Sequence, residues 1–185
     1  MNIMAISDHG LKEGFANRVY ENNIDLIITC GDFSIFGLAQ LREITDIPKI
    51  GVYGNHCTRG YMEELGIFNL HLKQFEFMGL SFGGFEGSVR YKADPYAVMW
   101  TQEEADILVP QMPIVDIIVT HCPPRGINDA SDLPHTGFNA LRDYLITNTP
   151  KAWFHGHTYP SAESLVTSFN ETRIIYTDPE IIVQI

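Results

Sequence analysis

The stretch NIMAISDHGLKEGFANRVYENNIDLIITCGD, residues 2–32, decides the fold. It opens on an apolar run, Ile3 to Ile6, and closes on a second, Leu26-Ile27-Ile28. Short runs that are apolar at every position read as strands buried on both faces. Between them, residues 11–22 carry Phe15, Val19 and Tyr20 on one side of a helix. Residues 37–45 look helical and stop before Pro48, and a third apolar strand covers 49–53. This β-α-β-α-β opening predicts parallel strands joined by right-handed crossovers. Ligands of such sheets sit beyond the carboxyl ends of the strands. That is where this chain places polar residues: Asp8 after the first run, Asp32 after the second, Asn55 and His56 after the third.

The pattern recurs downstream. A strand over 114–120 leads to His121, and one over 151–155 leads to His157. Five strands thus deliver Asp, Asp, Asn, His and His to one sheet edge, a donor set suited to divalent transition metals. Between these halves, Gly79, Gly83, Gly84 and Gly87 punctuate hairpin-like runs at 75–78 and 80–85. A short helix at 59–66 ends at Gly66, and Thr101 with Glu103 and Glu104 resembles a capped helix start. The long loop 122–135 precedes an amphipathic helix at 137–147, and residues 162–185 are expected to add two or three antiparallel strands. The expectation is an α/β chain of two packed mixed β-sheets flanked by helices, one domain over 1–185.

Composition sets bounds. The 185 residues are 45% hydrophobic and 19% charged, which supplies a full core. A net charge of −11 disfavours extended nucleic acid and anionic membrane as partners, but admits a small phosphorylated substrate held through a bound cation. No apolar run is long enough for a membrane span. Cys30, Cys57 and Cys122 are odd in number and lack CxxC spacing, which points to a reducing, cytoplasmic setting.

Gly31-Asp32, Gly54-Asn55-His56, His121 and Gly156-His157 stand in the order of a known motif series. They resemble the calcineurin-like metallophosphoesterases, whose pattern is D-x-H, G-D, G-N-H-D/E, an isolated His, then G-H-x-H. Pro123-Pro124 after His121, and His135-Thr136-Gly137 ahead of a helix, are also similar to small members. The resemblance implies a four-layer α-β-β-α sandwich and two metals about 3.5–4 Å apart sharing a carboxylate. By position, Asp32 is the shared carboxylate, and Asn55, His121 and His157 complete one metal site. The resemblance also gives His56 the task of assisting the leaving oxygen.

The chain departs from that pattern at the other metal site. D-x-H appears as Asp8-His9, and neighbouring residues diverge in extended backbone, so both reach a metal only if Gly10 re-aims His9. The last histidine of G-H-x-H is Tyr159, a phenol and a poor ligand. His9, His155 and Tyr159 remain alternatives for completing that site. The cofactor reading is one tightly held divalent metal, with the second weak or absent; manganese is favoured, and iron, nickel, cobalt and zinc also suit. Cys57 replaces the usual acid after G-N-H, so His56 lacks its ordinary orienting partner unless Asp8 or Asp129 serves. Arg125 is the best candidate phosphate clamp, ahead of Arg59 and Arg90. His135 and the helix start near Gly137 are further candidates for substrate contact, with capping by Thr136 as the alternative.

The resulting expectation is hydrolysis of a phosphodiester by a metal-activated water, with His56 assisting departure of the alkoxide. A nuclease acting on short nucleic acids is one alternative. A metal-binding interaction module that has lost catalysis is the alternative from another class.

Overall fold

Strands apolar at every position need cover on both faces, and the computed structural model, which describes residues 1–185, shows how that cover is supplied. The chain runs β1 (Asn2–Ile6), α1 (Phe15–Glu21), β2 (Leu26–Thr29), β3 (Lys49–Gly51), α2 (Tyr61–Glu64), β4 (Ile67–Asn69), β5 (Gln74–Phe77) and β6 (Leu80–Phe85). It continues through β7 (Ser88–Val89), β8 (Met99–Trp100), α3 (Gln102–Leu108), β9 (Ile117–Thr120), α4 (Asn139–Asn148), β10 (Ala152–His155), β11 (Ser168–Phe169), β12 (Thr172–Tyr176) and β13 (Glu180–Gln184). One sheet has the order β13-β1-β2-β3-β4, parallel except for β13. The other has the order β11-β12-β10-β9-β6-β5, parallel at its centre and antiparallel at both edges.

Alternation along the strands sorts side chains into three apolar interfaces. Ile3 and Ala5 of β1, with Leu26 and Ile28 of β2, meet Phe82, Ile117, Val119 and Phe154 of the opposing sheet. Met4, Ile6 and Ile27 point the other way, onto Phe15 and Val19 of α1 and onto Leu41. Ile118 and Trp153 face outward from the second sheet onto Ala105, Leu141 and Leu145 of α3 and α4. Three interfaces make four layers, α-β-β-α, as expected.

Two local expectations are corrected. The helix at 37–45 is a short 3₁₀ helix of five residues, Ala39–Glu43. In the tail, β12 runs parallel to β10, not antiparallel to its neighbours throughout. Its register sets Ile174 beside Trp153 and Ile175 beside Phe154, so its two isoleucines serve opposite interfaces, as in a buried parallel strand. The start of α3 is capped as read: Thr101 Oγ1 accepts from the Glu104 amide, and Glu104 Oε2 accepts from the Thr101 amide.

Candidate metal centre

The polar residues after β1, β2, β9 and β10, and those following β3, meet at one edge because glycines let their turns interlock. A Cβ on Gly54 would lie 2.2 Å from Asp32 Oδ1, and one on Gly31 would lie 2.5 Å from the Gly54 nitrogen and 2.8 Å from His121 Nδ1. Cys57 ties the same turns together. Its sulfur accepts backbone N–H groups from Asp32 at 3.1 Å, Gly54 at 3.0 Å and Phe33 at 3.4 Å. The residue in the place of the family's acid therefore organises the Asp32 loop, a role that the sequence did not signal.

Asp32, His121 and His157 each bring a ligand atom within 4.8 Å of the other two. His121 is fully buried, and its Nδ1–H donates to the Cys30 carbonyl at 2.7 Å. That bond turns Nε2 toward Asn55 Oδ1, at 3.0 Å, and Asp32 Oδ2, at 3.4 Å. In His157, Nε2–H donates to the Pro134 carbonyl at 2.7 Å, which leaves Nδ1 with the free lone pair. Such carbonyl partners fix the tautomer and aim of ligating imidazoles.

The electrostatics agree. Burial opposes charge on both members of the Asp32–His121 pair, but their mutual attraction outweighs it. Asp32, helped by the His56 amide, is held at about 2, and His121 is raised to about 9. Burial, reinforced by the charge of His121, pushes His157 down to about 3. A carboxylate, an amide oxygen and two imidazoles are thus gathered at one point. That donor set fits a divalent cation, which Asp32, Asn55, His121 and His157 would hold.

The other predicted residues lie as follows. Asp8 Oδ2 accepts from the Ser7 hydroxyl at 2.5 Å and from the His157 amide at 3.0 Å, bracing the His157 turn. His9 is 58% exposed and its Nε2 stands 3.1 Å from Asp178 Oδ1. His155 is buried within the second sheet, with Nε2 accepting from Asn128 Nδ2 at 2.9 Å, and Tyr159 is exposed. His56 is exposed; its amide bonds Asp32 Oδ1 at 2.7 Å, and its ring has no hydrogen-bond partner. Arg125 Nη1 lies 3.4 Å from Asp129, and His135 Nδ1 lies 2.6 Å from Asp132. The ring of His135 stands 5.5 Å from that of His157, beside the centre. The amides at the start of α4 are already bonded, Gly137 to Asp129 and Asn139 to Gln102, so neither Thr136 nor a phosphate is their partner here.

Two cavities flank the donors. One, of about 690 Å³, is lined by Asn55, His56, Arg59, Asp94 and Tyr96 among others. The other, of about 440 Å³, includes Asn128, His135, Thr158 and Tyr159. Sequence reasoning missed Asn128, whose amide clamps the 122–135 loop to Val166 and His155; its left-handed φ of 55° is the one local signal that asparagine offers.

Comparison with known proteins accords with this geometry. The solved structure titled TT1561 of Thermus thermophilus superposes with a TM-score of 0.63 at 14% identity, over 95% of this chain and 88% of that one. Phosphopantetheinyl hydrolase (PptH) from Mycobacterium tuberculosis gives 0.60 at 15% identity, over 94% and 87%. GAP50, the anchor in the inner membrane complex of Plasmodium, gives 0.51 at 13% identity, over 95% and 70%. At these identities the likeness shows shared fold. No curated protein sequence matches significantly. The sequence model of the calcineurin-like phosphoesterases matches residues 1–161, which span every candidate ligand. The chain belongs to the calcineurin-like phosphoesterase family.

Proposed function

We propose that this protein hydrolyses phosphodiesters of small molecules with one tightly held divalent cation, manganese being favoured. Family membership implies metal-dependent phosphoester hydrolysis in general. The observation that carries the finer reading is the asymmetry of the donors. Asp32, Asn55, His121 and His157 converge, whereas Asp8 braces the His157 turn and His9 faces Asp178. A diester carries less negative charge than a monoester and needs less cationic compensation in its transition state. One complete donor set in a chain of net charge −11 therefore favours the diester.

A divalent cation bound there would polarise a phosphoryl oxygen and make water a better nucleophile at neutral pH. The chain's own residues hold and orient. The Cys30 and Pro134 carbonyls fix the two imidazoles, and the Cys57 sulfur fixes the turn that carries Asp32. His56 lines the larger cavity beside Asn55 with a free ring, and in this reading it gives a proton to the departing alkoxide. Three free, buried thiols support a reducing, cytoplasmic setting.

The test is a chromogenic diester, bis(4-nitrophenyl) phosphate, with manganese, iron, nickel, cobalt and zinc in turn. Turnover is expected with at least one metal and is lost in Asn55→Ala and His121→Ala. About one equivalent of metal is expected to survive dialysis. Turnover by both variants would defeat the reading, as would two tightly held equivalents. No turnover with any metal would favour the interaction module.

A further inference from the structure

We infer that Arg59 is a specificity-determining residue that binds an anionic group on the leaving-group side of the substrate, with buried Glu86 as the positioning residue that aims it. The inference rests on the phosphodiester reading above and narrows its substrate class.

Arg59 lines the larger cavity together with His56 and Asn55, so it stands on the side from which the alkoxide departs. Its guanidinium is held on one edge and one face. Nη2 donates to Glu86 Oε1 at 2.7 Å, and the Arg59 Cζ lies 5.5 Å from the centre of the Tyr53 ring. It makes no other hydrogen bond and is 56% exposed, so most of its five N–H groups are free. Asp94, the acid in the same wall, already has partners in Lys92 and the Tyr96 amide. The Tyr96 ring is exposed at the rim and offers a flat surface.

Glu86 carries the argument. It follows β6 and is 2% exposed, and its backbone is fixed twice: its amide donates to His71 Nδ1 and its carbonyl accepts from Trp100 Nε1. The other carboxylate oxygen, Oε2, is buried without a partner. A buried carboxylate satisfied on one side only is a poor stabilising device, since apolar residues often serve a core as well or better. What this arrangement achieves is a guanidinium whose direction is set before substrate arrives. A preoriented guanidinium fork matches a carboxylate or phosphate through paired, charge-assisted hydrogen bonds. The substrate class is therefore a phosphodiester whose leaving group carries a second anionic group, attached to or near a flat ring.

Two chromogenic esters differing by one carboxylate test this: ethyl 4-nitrophenyl phosphate and ethyl 3-carboxy-4-nitrophenyl phosphate, each with manganese. The wild-type protein is expected to favour the carboxylated ester about tenfold in kcat/KM, mostly through KM. Arg59→Ala brings the ratio to about one, Arg59→Lys keeps about threefold through charge alone, and Glu86→Gln lowers the ratio with a raised KM. Melting temperatures taken in parallel separate misaiming from unfolding. A wild-type ratio of one, or a preference kept by Arg59→Ala, overturns the assignment. If neither ester turns over with any metal, the hydrolytic reading fails. Calorimetry with 5-hydroxy-2-nitrobenzoate then decides about Arg59: binding weakened about tenfold by Arg59→Ala keeps it, and unchanged or absent binding overturns it.

Discussion

Gly54→Ala tests whether the Asp32 turn is packed for ligation. The new Cβ would stand 2.2 Å from Asp32 Oδ1 and 2.4 Å from the Asp32 nitrogen, distances that real Cβ contacts do not reach. Both clashes fall on one residue, so rotating a side chain does not relieve them, and the turn has to open. The carboxylate retreats by about 1 Å, whereas metal–ligand distances tolerate only about 0.2 Å. The shift also stretches the bond from the His56 amide to Asp32 Oδ1, now 2.7 Å. Losing the aim of one of four donors is expected to weaken manganese binding by about a hundredfold. Overpacking costs about 1–3 kcal/mol of stability as well, so affinity alone is not a clean readout. Gly79→Ala supplies the comparison. Gly79 has φ +77° and open space around its would-be Cβ, in the turn joining β5 to β6. It should lose about 1 kcal/mol through backbone strain with manganese affinity unchanged. Calorimetric titration of manganese, with urea melts on both variants, reads the two effects. If Gly54→Ala binds manganese within threefold of wild type, the steric argument is wrong.

Two further outcomes follow from hydrogen bonds away from the donors. Asn128→Ala removes one bond to His155 and two to Val166 and puts alanine, which tolerates left-handed backbone less well than asparagine, at φ 55°, which should cost about 3 kcal/mol in urea melts. Asn128→Gly relieves the backbone component and should recover about 1 kcal/mol; a loss below that in the alanine variant would contradict the clamp. Asp116 is held at about 2 by the Ser81 amide first, then by Lys151 and the Ser81 hydroxyl. Its folded pKa is depressed, so its contribution is present above the ordinary carboxylate range and fades as pH falls toward about 2. With a side chain 29% exposed, that contribution is about 1 kcal/mol after screening. The stability gap between wild type and Asp116→Asn should therefore be visible in urea melts at pH 7 and mostly lost near pH 2; a gap that persists in full there counts against the ionised carboxylate, with its Ser81 and Lys151 partners, as its source.

The layers were legible because burial on both faces leaves an all-apolar strand pattern, and Ile3–Ile6, Leu26–Ile28 and Ile117–Thr120 carry it almost undiluted. The convergence of Asp32, Asn55, His121 and His157 was legible for a related reason: each follows such a strand, and parallel strands end on the same side. What could not be read are contacts made by atoms that every residue carries. The Cys30 and Pro134 carbonyls aim the imidazoles, but a carbonyl leaves no mark in the sequence. Cys57 looked like a lost acid because its sulfur's three amide donors come from residues 24 and more positions earlier and from Gly54. The parallel course of β12 was missed because pairing direction depends on the path of the loop before it, not on its own composition.

The alternation argument applied to Asp8-His9 fails for an instructive reason. Period two belongs to extended backbone, and Asp8 has φ 62°, Asp32 φ 63° and His157 φ 70°. Left-handed backbone at non-glycine residues costs about 1 kcal/mol or more at each position, so surrounding bonds must hold it. Here they form a closed set. Asp8 accepts the His157 amide, Asp32 accepts the His56 amide, and Cys57 accepts the Asp32 amide. Gly156 completes the lock, since a Cβ there would fall 1.9 Å from Ser7 Oγ and 2.6 Å from Asp8 Oδ2. In this arrangement the Asp8 carboxylate serves first as the brace for the His157 turn. With that brace in place, His9 Nε2 stands 3.1 Å from Asp178 Oδ1. The shortened D-x-H spacing thus goes with an end of β1 whose carboxylate braces the His157 turn of the neighbouring sheet.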